Sequence, residues 1–291
     1  MPRKHPVRKE PAAGATSPVR QPFFNHGYAR GMETRHGYML FNPNDFIGQA
    51  LEAYGEWSYQ EIELLGQLIK PDHVILDIGA NIGTHTLSFA KMVGPGGFVF
   101  AFEPQRITYE FLCANIAMNN LINVVPYQAA VSDKAGEIMV PIINPNSPSN
   151  TGAFKISGYS TGDAVRQITV DALGLGKCNL IKVDVEGMEH NVILGAVNTI
   201  RNLRPVLFIE NNGYGNAKEL VKLVLDLNYR GWWFFSPPVN PGEPFNPEIN
   251  DKNMLCLPAE WNTNVNGLVP LLDENDTGVK AYERLKQSGL N

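Results

Sequence analysis

Between two apolar stretches the chain reads Asp77-Ile78-Gly79-Ala80-Asn81-Ile82-Gly83, closing a strand-like run and opening a helix-like one. Open α/β sheets bind their ligands at the carboxyl ends of the strands. Gly79, Ala80 and Gly83 are small enough to let a ligand approach the main chain. The helix N-terminus beyond them would favour an anionic group by about 0.3–1 kcal/mol. Two cofactor classes compete for such a loop. A dinucleotide fold wants G-x-G-x-x-G gripping a pyrophosphate. Here Gly79 and Gly83 stand four apart and Asp77 precedes them, a charge that would repel a pyrophosphate. Asp77 suits a cationic ligand, such as the amino and sulfonium groups of S-adenosylmethionine. Glu103 lies 24 residues after Gly79 and can accept both hydroxyls of a ribose. Several dinucleotide enzymes share that acid, so Glu103 indicates a nucleoside cofactor without choosing one. The absence of a G-x-x-x-x-G-K-S/T run argues against a P-loop nucleotidase.

A second group of chemistry-bearing residues closes two later strands. Lys182, Asp184 and Glu186 share one face if their strand continues that far. Asp184 stands where that strand opens toward the cofactor, and such groups can share or remove the proton of a weak hydroxyl nucleophile. Glu210-Asn211-Asn212 closes the next strand. Other residues carry weaker signals. His85 is expected to cap or pack the helix after the cofactor loop, and His190 to lie near the site or on the surface. Tyr54, Glu56 and Trp57 could cover the cofactor, and a ring of Trp232 or Trp233 could stack on a sugar. Asn150-Thr151-Gly152 and the loop from Pro237 to Phe245 are candidate acceptor walls.

These groups need a scaffold, and the chain supplies one. From Trp57 to Leu257 short β-branched runs alternate with helical stretches, the pattern of a parallel sheet covered by helices. Ser58-Tyr59-Gln60-Glu61 has capping-box spacing and predicts a helix that Pro71 stops. Strands are expected at His73–Ile78, Phe98–Phe102, Val124–Val131, Leu180–Asp184 and Pro205–Glu210. An irregular stretch from Pro141 to Ser160 interrupts the rhythm, and Gln167–Val170 reads as a short edge strand. Helices are expected over Thr84–Val93, Ile107–Asn119, Met188–Ile200 and Ala217–Leu227. Trp232–Phe235 and Met254–Leu257 should form a closing hairpin.

The 291 residues, 44% hydrophobic and 18% charged, can bury a core and exclude wholesale disorder. Three widely spaced cysteines, Cys113, Cys178 and Cys256, exclude a disulfide scaffold and fit a reducing, cytoplasmic setting. No run is long enough to span a bilayer, and no signal-peptide pattern opens the chain. Residues 1–22 hold Arg3, Lys4, Arg8, Lys9 and Arg20 against Glu10, a local +4 that leaves −9 for the rest of a chain of net −5. So acidic a body argues against a nucleic-acid substrate. Residues 1–30 are expected as a disordered basic tail and 261–291 as a C-terminal extension.

The segments V-I-L-D-I-G-A-N-I-G-T-H-T, F-E-P, L-I-K-V-D-V-E-G-M-E and R-P-V-L-F-I-E resemble the FkbM-type S-adenosylmethionine-dependent methyltransferases, over roughly residues 50–258. The resemblance implies a class I methyltransferase (Rossmann-like) fold over residues 31–260. That fold is a mostly parallel seven-stranded sheet with an antiparallel edge hairpin and helices on both faces. It implies Asp77, Gly79, Asn81, Gly83 and Glu103 as cofactor contacts, and Val131 and Ser132 near the adenine. The acceptor it implies is a hydroxyl of a glycan or other polyhydroxylated small molecule. An Asp closing the fourth core strand with an acid–amide pair closing the fifth is also similar to the metal site of catechol-type O-methyltransferases. On that likeness Asp184, Glu210 and Asn211 are candidate Mg²⁺ ligands. Rival readings are an N-methyltransferase acting on an amino sugar or peptide, an inert cofactor-binding module, and an NAD-linked oxidoreductase.

Overall fold

The computed structural model describes residues 21–150, 158–213, 215–237, 239, 250–263 and 265–288. Three short strands open it: β1 Phe24–His26, β2 Ala29–Thr34 and β3 Gly37–Phe41, an antiparallel meander. The expected tail over residues 1–30 therefore gives way to strand by Phe24, and residues 1–20 lie outside the described residues. Helix α1 Phe46–Tyr54 follows, its first turn capped by Asp45, which accepts the N–H of Ile47. Helix α2 is Tyr59–Gly66. Tyr54 thus closes α1, and Glu56 and Trp57 lie between the two helices.

Next come β4 Val74–Ile78, α3 Thr84–Val93, β5 Phe98–Phe102, α4 Arg106–Met118 and β6 Val124–Tyr127. Three strands then build a separate small sheet: β7 Ala129–Val131, β8 Gly136–Val140 and β9 Asp163–Ile168. The remaining elements are β10 Leu180–Val183, α5 Glu189–Leu194, α6 Val197–Leu203, β11 Val206–Glu210, α7 Ala217–Asp226, β12 Tyr229–Phe235, β13 Lys252–Pro258, β14 Val269–Pro270 and α8 Gly278–Ser288.

The large sheet runs β14-β12-β13-β11-β10-β4-β5-β6. Its five strands from β11 to β6 are parallel, and β13, β12 and β14 add antiparallel pairings at the other edge. Seven strands are expected and the large sheet has eight, β14 being added at its edge, so described residues beyond 261 join the sheet. Trp233 Nε1 donates to Asp276 at 3.3 Å, and Asp276 pairs with Arg284 of α8. Side chains alternate across each strand. Leu76, Ile78, Ile181, Val183, Leu207 and Ile209 pack with α5, α6 and α7 on one face. Ile75, Leu180, Val206 and Phe208 pack with α1–α4 on the other. A sheet buried on both faces accounts for its continuous apolar strands.

Three elements depart from the sequence reading. The run Val124–Val131 splits, and its second half, β7, leaves the main sheet to pair with β9. Strand β9 lies between β7 and β8 rather than at an edge, parallel to β7 and antiparallel to β8. The helix expected over Met188–Ile200 breaks in two at Gly195. The Gly195 carbonyl accepts the N–H of Asp171, and a Cβ there would lie 2.0 Å from the Ser132 carbonyl oxygen. The Asp171 carboxylate then accepts the N–H groups of Asn198 and Thr199, opening the second piece.

The excursion after β8 is clasped to the start of α1. Asn42 and Asn44 donate to the Pro145 carbonyl, Phe46 N–H to Ser149, and Ser149 Oγ to Asp45.

Candidate active site

The carboxyl ends of β4, β5, β10 and β11 converge, as the sequence implies. Gly79 and Ala80 donate their N–H groups to the Phe102 carbonyl, turning the loop between β4 and α3 over β5. Gly79 has φ +79, and a Cβ there would lie 1.7 Å from the Asp184 carbonyl oxygen. Its bare backbone thus lets the end of β10 pack directly against the loop. Asn81 takes a left-handed turn at φ 49, and its N–H donates to Glu103 Oε2 at 3.0 Å. Glu103 Oε1 accepts the N–H of Gln105 at 2.9 Å. Burial pushes the Glu103 carboxyl up to about 7, against those two hydrogen bonds. The acid closing β5 and the loop closing β4 therefore form one hydrogen-bonded unit.

Asp77 is wholly buried. Its Oδ2 accepts from Thr86 Oγ1 at 2.5 Å, and Oδ1 has no hydrogen-bond partner. Its nearest cation is Lys182, with Nζ 3.7 Å from Oδ1. Lys182 Nζ also donates to Asp184 Oδ2 at 3.2 Å and to the Gly79 carbonyl at 3.4 Å. Burial works against that ammonium, but Asp184, Asp77 and Glu61 outweigh it and raise its pKa above the ordinary lysine value. Lys182 is a pinned cation under the loop, which makes it a poor proton acceptor.

Asp184, Glu186 and Glu210 each present an oxygen within 4.8 Å of the others. Glu186 reaches this arrangement at φ 52, an uncommon backbone for a non-glycine residue. Burial, then the charges of Asp184, Asp251 and Glu186, raise Glu210 well above the usual carboxylate range. Asn212 Nδ2 donates to both Glu210 Oε1 and Asp251 Oδ1. Asn211 is not part of the group. It follows Glu210 by one residue and so faces the other way. Its amide contacts Ala217, Met254 and the N–H of Gly213.

Two residues read as structural from sequence enter the site. Ser58 sits at φ 48 and makes no side-chain cap bond, so the capping box does not form. Glu61 instead turns inward, with Oε2 3.1 Å from His85 Nε2 and Oε1 accepting from Asn253 Nδ2 at 3.1 Å. Burial drives Glu61 up to about 8, with Lys182 opposing and Asp184 adding to the rise. Burial, then Lys182, holds His85 down at about 3, a neutral imidazole. Asn253 had no sequence signal, whereas the register that sets it opposite Glu210 makes its place plain.

The remaining candidates are dispersed. Val131 and Ser132 are buried at the end of β7, where Ser132 Oγ donates to Asp133 at 2.9 Å. Trp232 and Trp233 are buried in the sheet. Trp57 packs edge-on against Phe46, and its N–H donates to His36, while Glu56 pairs with Arg35. Residues 151–152 and 240–245 of the expected acceptor walls, and Pro238, lie outside the described residues.

The strand order and the loop–acid unit define a nucleoside-cofactor fold of the class I methyltransferase type. Residues 77–230, just over half of the chain, match the Methyltransferase FkbM domain model, and the chain belongs to that family. Among similar proteins, hexuronic acid methyltransferase AglP of Haloferax volcanii is 30% identical over 167 residues, covering 56% of this chain and 66% of that protein. The 31-O-demethyl-FK506 methyltransferase FkbM of Streptomyces tacrolimicus is 28% identical over 162 residues, 45% of this chain and 62% of that one. The 2-O-methyltransferase NoeI of Sinorhizobium fredii is 28% identical over 160 residues, 49% and 65%. The chain spans less than two thirds of each of these relatives.

Proposed function

We propose that the chain transfers the methyl group of S-adenosylmethionine to a hydroxyl of a glycan or other polyhydroxylated small molecule. The observation that carries this reading is the loop–acid unit, Glu103 locked to the Asn81 N–H over the end of β5. It supports a nucleoside cofactor, and the family supports methyl transfer. The residues fit that cofactor: Asp77 Oδ1 is buried without a hydrogen-bond partner, a site for a cationic group, and Glu103 lies against the loop through the Asn81 N–H. Asp77, Gly79, Ala80, Asn81, Gly83 and Glu103 would hold it, with Val131 and Ser132 toward the base. When bound it supplies an electrophilic methyl carbon. Asp184 and Glu186 would bind and orient the acceptor, with Lys182 holding Asp184 in place. Much of the rate in such a displacement comes from alignment, about 7–11 kcal/mol at best.

The glycan reading is supported by AglP, named for a hexuronic acid, and transfer to oxygen by NoeI, named a 2-O-methyltransferase. The free cysteines support a cytoplasmic setting, and among the described residues no helix is long and apolar enough to cross a membrane. Calorimetry with S-adenosylmethionine and S-adenosylhomocysteine, followed by labelled-methyl transfer onto a panel of polyols and amino sugars, tests the proposal. Binding of NAD in place of both would overturn it. Transfer to nitrogen alone would favour the N-methyltransferase alternative, and cofactor binding without transfer an inert module.

A second reading puts a divalent cation among Asp184, Glu186 and Glu210, on the strength of their mutual approach within 4.8 Å. It would lower the pKa of an acceptor hydroxyl. Such an ion would compete with Lys182 for Asp184.

A further inference from the structure

Resting on that methyl-transfer reading, we propose that Glu61 is the base that receives the acceptor's hydroxyl proton, with His85 and Asn253 as positioning residues that fix its carboxylate.

An acid in the first turn of a helix ordinarily serves that helix, yet here no cap bond forms and the carboxylate turns away from its own backbone. The helix is anchored by Ile62 and Leu65, which need no carboxylate beside them. Both oxygens instead meet side chains from other elements. His85 is the second residue of α3, immediately beyond the cofactor loop. Asn253 lies on β13 directly opposite Glu210 of β11. Three elements converge on one carboxylate beside the strand ends that carry Asp77, Lys182, Asp184 and Glu210. The Glu61 side chain keeps 12% of its surface open, more than His85 at 7%.

Neither partner is a fixed cation, so Glu61 is not locked in an ion pair. The charged and titratable groups that act on it are Lys182 from β10, Asp184 just beyond that strand, Asp251 ahead of β13 and His85 from α3. Lys182 favours the carboxylate, while burial, Asp184 and Asp251 favour the acid, and the group settles at about 8. That range suits a base that must gain and release a proton near neutral pH.

The step balances. The acceptor O–H bond breaks toward a Glu61 oxygen, and the acceptor oxygen forms its new bond to the methyl carbon. The carbon–sulfur electron pair stays on sulfur. One sulfonium charge and one carboxylate charge disappear together.

Glu61→Gln preserves size and hydrogen bonding but cannot take a proton. Isotope-edited infrared titration of the cofactor-free protein should show a glutamic acid losing its proton near pH 8, absent from Glu61→Gln. Calorimetry should find S-adenosylmethionine affinity within about threefold of the parent protein. Labelled-methyl transfer onto methyl glucopyranoside and p-nitrophenyl glucuronide should fall by about 10²–10⁴-fold in Glu61→Gln. Glu61→Asp should restore part of it, and His85→Gln should displace the pH profile. A Glu61 carboxyl that stays protonated through pH 10, and so cannot take a proton, or a Glu61→Gln variant turning over at the parent rate, overturns the proposal. If no probe sugar is methylated, the infrared titration decides it alone. Failure of the parent protein to bind S-adenosylmethionine sinks the underlying reading, and this one with it.

Discussion

The backbone of Gly79 lies so close to Asp184 that a Cβ on the glycine would come within 1.7 Å of the Asp184 carbonyl oxygen. The loop between β4 and α3 and the chain just beyond β10 that carries Asp184 are therefore one packed unit. At φ +79 any side chain is also strained. Gly79→Ala should cost about 1–3 kcal/mol of stability from backbone strain alone. It should lower S-adenosylmethionine affinity as well, because the loop must move off β10. Denaturant melts and calorimetry on the same variant measure both, and an unchanged pair of values would refute the coupling.

Glu103→Ala should weaken S-adenosylmethionine binding by about 1.5–3 kcal/mol, the range for hydrogen bonds to a charged group. The same residue gives a stability signature. Its carboxyl rises from an ordinary 4.5 to about 7 on folding. The folded protein thus holds the proton more tightly than the unfolded chain. That contribution is fully present below about pH 4.5 and is lost as pH rises through about 7. Glu61, raised to about 8, acts in the same direction. Melting curves between pH 5 and 8 should show Glu103→Gln losing part of the parent's decline.

Lys182→Met should be costly. It removes the cation from between Asp77 and Asp184 while keeping much of the side-chain volume. Stripping one partner from a buried ion pair typically costs about 3–5 kcal/mol. Asp77→Asn combined with Lys182→Met should recover part of that loss. If denaturant melts of the double variant fall by the sum of the single losses, the pair is not energetically coupled.

Chelation separates the two readings of the acidic strand ends. With Lys182 holding Asp184, EDTA should leave methyl transfer unchanged. If EDTA abolishes transfer and Mg²⁺ restores it with cofactor affinity constant, the Asp184–Glu186–Glu210 group holds an ion.

The parallel core was legible in the sequence because buried strands are written as unbroken apolar runs: Val74–Ile78, Phe98–Phe102, Leu180–Val183 and Val206–Glu210 lie close to where those runs stand. The opening meander was not, since β1 is exposed throughout and Arg30, Glu33 and Tyr38 blur the alternation of β2 and β3. Asn211 could have been set aside from sequence alone, because adjacent strand residues face opposite ways. Glu61 could not have been placed. Local spacing assigned it to a capping box, and only the tertiary approach of His85 and Asn253 turns it inward.

The clasp between Ser149 and the start of α1 has a consequence for engineering. Asp45 both caps that helix and receives the Ser149 hydroxyl, so the excursion and the helix entry share one carboxylate. A chimera that borrows only the excursion from a relative would leave that carboxylate mismatched and fray α1. Grafts that replace the excursion should therefore carry residues 42–46 with it, as a two-part cassette.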